Sequence, residues 1–175
     1  MVEAARRARV LRLLDAARLL ADPTQPSGRA LRQRLLETSG LSPQNIELGL
    51  TRCLETTASD AELASLLELT PSAPRAHVLL SGNVFVAALR AIALGLAATD
   101  AVQVRSSRRD PALAEALHEL APDLFRLAGE LSPAPGEHYF AYGSDTTLGE
   151  RRRNLPRGVR LHAHGSGFGA MLLEA

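Results

Sequence analysis

The chain has 175 residues, 46% of them hydrophobic and 22% charged, enough apolar content to bury the core of one ordinary domain or of a small domain with a helical annex. The formal net charge of +1 gives no general pull toward nucleic acid or anionic membrane, and no apolar run reaches the ~18 residues of a membrane span. All twenty basic residues are arginine, which excludes lysine chemistry, and the single cysteine, Cys53, excludes an internal disulfide framework and a multi-cysteine zinc site. Charge from the start of the chain (Glu3, Arg6, Arg7, Arg9) argues against a secretory leader, and the expected compartment is the reducing cytoplasm.

Up to about residue 75 the periodicity is helical throughout. Leu11, Leu14, Leu19 and Leu20 among arginines and alanines predict an amphipathic helix over 2–21, ended by Asp22-Pro23. A second helix, with Ser27 as its cap, carries Leu31, Leu35 and Leu36 and stops at Gly40. Ser42-Pro43 opens a third, with Ile46, Leu48, Leu50 and Leu54, in which Cys53 is expected as a small buried hydrophobe. Ser59 and Glu62 form a capping box for a helix to about Leu69, and Thr70 to Pro74 breaks the pattern.

Strands then alternate with helices. HVLL at 77–80 is a strand, 84–98 a nearly all-buried helix, and AVQV at 101–104 a strand. Asp110-Pro111 opens a helix to Leu120, and Pro122 another short one. HYFAY at 138–142 is a strand and 145–154 a helix, with further strands expected at 159–162 and 169–173. The expected fold is α/β: a Rossmann-like, mostly parallel sheet with flanking helices over 75–175, preceded by an all-helical annex over 1–74.

Three strand-to-helix joints could carry chemistry, since ligands of such sheets bind outside the carboxyl ends of the strands. Ser81-Gly82-Asn83 offers a close backbone approach and an amide that either caps a helix or donates to an oxyanion. Arg105-Ser106-Ser107-Arg108-Arg109 is either a solvated basic loop or a phosphate reader at the ribose end of a dinucleotide. Tyr142-Gly143-Ser144-Asp145 leads into a helix N-terminus, where an anion is favoured unless the Asp145 carboxylate points inward. No GxGxxG fingerprint is present. His162 and His164 share one side of a strand but lack a third metal ligand, and Arg151-Arg152-Arg153 reads as a solvated helix face or an anion or partner patch.

The stretch SGNVFVAALRAIALGLAATDAVQVRSSRRDP, with YGSD and the lead-in LETSGLSPQNIELGLTRCLE, resembles the bacterial acyl-CoA reductase (LuxC-type) family of the aldehyde dehydrogenase superfamily, from about residue 30 onward. The resemblance implies NADPH-dependent reduction of a long-chain acyl thioester to a fatty aldehyde. It implies that Asn83 helps form the oxyanion hole, that Arg105, Ser107 and Arg108 meet the ribose end of the cofactor, and that Gly143 and Ser144 meet the pyrophosphate. Phe85 and Ser106 stand where that superfamily carries prolines, and its nucleophilic cysteine has no counterpart here. The chain is therefore expected to be a truncated portion with weak or no activity alone. A non-catalytic nucleotide- or partner-binding module built on the same fold is the alternative. An acyl-transferring partner protein and a homo-oligomer are both compatible with the resemblance.

Overall fold

A computed structural model of the chain describes residues 2–82 and 84–165. The expected helix over 2–21 is α1 (Val2–Ala21), but its buried stripe is Val10, Leu13, Leu14, Ala17 and Leu20, while Leu11 and Leu19 face solvent. The arginines of α1 have structural duties: Arg6 donates to the carbonyls of Leu67, Thr70 and Ala97, and Arg9 to that of Leu96. Those carbonyls end two other helices and would otherwise lack partners.

Helix α2 (Pro26–Thr38) is entered through Gln25 rather than the expected Ser27, because Pro26 occupies the first turn, where its missing N–H costs nothing. Gly40, at φ +69°, turns the chain out of α2 as expected. Helix α3 (Pro43–Leu48) is capped by Ser42, whose side chain accepts from the Asn45 amide, and runs into a π-helical turn at Gly49–Cys53. Ile46, Leu50 and Leu54 are buried there; Cys53 is exposed, contrary to expectation. The wider turn, closed by the Leu54 amide on the Gly49 carbonyl, puts Leu54 on the apolar stripe and rotates Cys53 off it. The capping box of Ser59 and Glu62 starts α4 (Asp60–Leu69) as read.

The α/β part contains β1 (Ala76–Leu79), α5 (Ala87–Ala98), β2 (Val102–Arg105), α6 (Ala112–Leu120), β3 (Arg126–Leu127), β4 (His138–Tyr142), α7 (Asp145–Asn154) and β5 (Arg160–His164). Residues 84–86 form a turn ahead of α5, not its first turn of helix. Pro122 opens a turn rather than a helix, and that turn feeds β3, a two-residue exposed strand that periodicity could not reveal. The expected strand at 169–173 lies outside the described residues.

All pairings are parallel, in the order β3-β2-β1-β4-β5. Right-handed crossovers run outward from β1 in one direction and from β4 in the other, which places α5 and α6 on one face and α7 on the opposite face. The first face carries the main core, in which Val78, Ile92, Leu96 and Val104 join Leu13, Leu31, Leu35 and Leu50 of the helices before residue 70. Gly95 lets α5 lie close on the sheet: a Cβ there would sit 3.0 Å from Val102 and 3.1 Å from Val78. The second face holds a smaller cluster of Leu79, Tyr139, Ala141 and Leu148. No helix among the described residues is long and apolar enough to cross a membrane.

Candidate coenzyme site

Strand order reverses between β1 and β4, so their carboxyl ends diverge and leave a crevice. Leu79 of β1 is level with Arg105 of β2 and with Ala141 of β4, so the three expected joints stand side by side on adjacent strands. The first two are in contact. The Leu80 amide donates to the Arg105 carbonyl at 3.0 Å, and Gly82 lies so close to Ser107 that any Cβ at position 82 would collide with its hydroxyl. Asn83 itself lies outside the described residues, and the N-cap of α5 is Val86.

Ser107 accepts from the Arg109 amide at 3.1 Å, which fixes the loop and leaves the hydroxyl proton free to donate elsewhere. Arg105 is partly buried; Arg108 and Arg109 are exposed. None of the three has an acidic partner among the described residues. Asp110, the nearest acid in sequence, is turned away: it accepts from Thr38 of α2 at 3.3 Å, and burial raises its pKa against the effect of its hydrogen bonds. The loop therefore keeps an unneutralised positive charge.

At the third joint Ser144 is the cap of α7, accepting from the Thr147 amide at 3.3 Å and bonding the Thr147 hydroxyl at 3.1 Å. The Asp145 carboxylate lies against Gly165 beyond β5, the side remote from the crevice between β1 and β4. The Gly143 amide donates to the His164 carbonyl at 3.2 Å. With the Thr147 amide taken by the Ser144 cap, the amides of Asp145 and Thr146 are left to face an anion without the carboxylate in the way.

On the α5 side, aromatic rings of β4 and β5 stack in register: His162 on Phe140 and His164 on Tyr142, each pair at 4.4 Å between centroids. Burial pulls the His162 imidazole down to about 4 and pushes the Tyr142 phenol up to about 12. A groove lined by Cys53, Glu55, Val86, Arg90 and Tyr142 opens beside the carboxyl end of β4. Arg90 and Glu55 pair across it at 2.6 Å. Sequence reasoning missed this groove, since its residues are distant along the chain and carry no motif.

A five-stranded parallel sheet in this order, flanked by helices, matches the Rossmann-like fold of aldehyde dehydrogenases. Two of the solved structures similar to it are aldehyde dehydrogenases. A NAD-dependent benzaldehyde dehydrogenase from Corynebacterium glutamicum matches with a TM-score of 0.64 and 14% identity, over 91% of this chain and 42% of its own length. A salicylaldehyde dehydrogenase from Pseudomonas putida G7, complexed with salicylaldehyde, matches with a TM-score of 0.55 and 13% identity, over 85% of this chain and 37% of its own. The chain thus spans less than half the length of these neighbours, and the likeness is one of fold. No protein-family model matches the sequence, and no curated protein matches it.

Proposed function

We propose that residues 75–175 bind a nicotinamide coenzyme as part of an oxidoreductase of the aldehyde dehydrogenase type, buttressed by the helices of residues 1–74. The observation that carries this reading is the contact of the first two joints, with the third beside them, at the point where the strand order reverses. Arg105, Ser107 and Arg108 suit the ribose end of NADPH, because guanidinium groups without acidic partners favour a 2′-phosphate. Gly143 and Ser144 at the start of α7 suit the pyrophosphate. Asn83 would donate to the oxygen of the carbonyl being reduced. NADPH supplies a hydride, and the resemblance of the sequence makes the substrate a long-chain acyl thioester and the product a fatty aldehyde. An acyl-transferring partner, self-association and a cytoplasmic setting belong to the same reading.

The second reading, a non-catalytic nucleotide-binding module, draws on the position of Cys53. The one cysteine of the sequence is exposed on the π-helical turn, and no histidine or carboxylate is hydrogen-bonded to it among the described residues. A thermal shift tests both. NADPH should raise the Tm of the chain, and Arg105→Glu should weaken NADPH more than NADH. A flat response to both at millimolar concentration defeats either reading. Where binding is present, aldehyde formation from an acyl thioester and NADPH separates enzyme from module.

A further inference from the structure

The acid nearest the loop after β2 is held by a helix from the other part of the chain. Asp110 follows directly on Arg108 and Arg109, two exposed guanidinium groups without an ion-pair partner among the described residues. A carboxylate so placed is drawn toward such neighbours, yet Asp110 faces away from them. Its Oδ1 lies 3.3 Å from the hydroxyl of Thr38, the last residue of α2, and it also accepts from the Ala112 amide at the start of α6. The contact with Thr38 joins positions 72 residues apart, so the packing of α2 on α6 creates it. Arg34, one turn before Thr38, fastens the same two helices by pairing with Glu119 at 2.7 and 3.0 Å.

The arrangement does little for Asp110 itself. The residue is half-buried, and burial raises its pKa against both hydrogen bonds, with neither arginine of the loop offsetting that effect. The Thr38 hydroxyl has one proton and shares it with the Arg34 carbonyl, 2.9 Å away. The carboxylate thus stays beside a shared donor while stronger, charged donors lie one and two residues back along the chain. What this position secures is the positive charge of the loop. Turned the other way, Asp110 would neutralise one of the two guanidinium groups.

We propose that Thr38 is a positioning residue for the loop after β2: its hydroxyl keeps the Asp110 carboxylate off Arg108 and Arg109, and α2 thereby sets the preference for a phosphorylated ribose. The identity of the ligand rests on the coenzyme reading above; the hold on Asp110 does not. Thr38→Val removes the hydroxyl and keeps the shape, Thr38→Ser keeps the hydroxyl, and Thr38 is exposed at a helix end, with melting curves to verify folding. The Asp110 carboxyl pKa, followed in the full chain by carbon-detected NMR, separates movement from the simple loss of a bond. A hydrogen bond to the carboxylate favours its charged form, so losing it without movement raises the pKa further, whereas movement onto a guanidinium lowers it. Thr38→Val should lower it, and Thr38→Ser should leave it near the parent value. Calorimetric titration with 2′,5′-ADP and 5′-ADP should show the preference for 2′,5′-ADP reduced about fivefold in Thr38→Val and recovered when Asp110→Asn is added.

A carboxyl pKa that rises or stays unchanged in Thr38→Val overturns the inference, whatever the nucleotides do. A pKa that falls in a chain whose parent binds neither nucleotide upholds the hold on Asp110 and removes the coenzyme reading. A pKa that falls while the parent's preference for 2′,5′-ADP survives intact overturns the part of α2 in cofactor preference and leaves the coenzyme reading standing.

Discussion

The buried polar residues of this fold depend on specific partners. Glu137 is the clearest case. Burial opposes its charge, but the Ala134 amide, His77 and Arg75 together outweigh burial and hold its pKa below the ordinary carboxylate range. A depressed folded-state pKa means stability that is present above the unfolded value, ~4.3, and is lost as pH falls through the folded one. Glu137→Gln should therefore cost about 1–3 kcal/mol near neutrality, and its Tm deficit against the parent should shrink as pH drops below 4. A deficit independent of pH would show that the carboxylate charge is not what matters. Cys53 gives a second test at this scale. The native chain should react fully with a thiol reagent without denaturant, and Cys53→Ser should change stability by less than about 0.5 kcal/mol.

At the scale of elements, arginine takes the place of ordinary C-terminal caps. Arg6 gathers carbonyls from the ends of α4 and α5, so Arg6→Met should cost about 2–3 kcal/mol and loosen both helix ends together, seen as faster amide exchange near Leu67 and Ala97. Most of the elements could be read from the sequence because their signals are local: Ser42-Pro43, the Ser59–Glu62 box and the largely apolar α5. What escaped was set by non-local geometry. The π turn rotated Cys53 outward by one extra residue, Pro26 took the first turn from Ser27, and β3 is too short and exposed for alternation to show. The three joints were legible as separate turns, but the contact of the first two through Gly82 and Ser107 was not, because pairing between β1 and β2 creates it.

The whole molecule is layered asymmetrically. One sheet face lies beneath α5 and α6, which are themselves covered by α1, α2 and α4; the other has α7 and the loop carrying Leu131. Ile92, Leu96, Leu113 and Leu117 are at most 1% exposed in the intact chain. Residues 75–175 made alone would uncover much of the outer side of α5 and α6, more apolar surface than a monomer ordinarily tolerates. That piece should bind a hydrophobic dye and melt without a sharp transition, while the full chain melts cooperatively; a sharp two-state melt of the isolated piece would count against this account.

The collision awaiting any side chain at position 82 ties together two turns that an evolving protein would otherwise adjust separately. Enlarging residue 82 would push Ser107, and with it the loop that follows β2. The turns after β1 and β2 are thus yoked, and drift in one must be answered by a compensating change in the other.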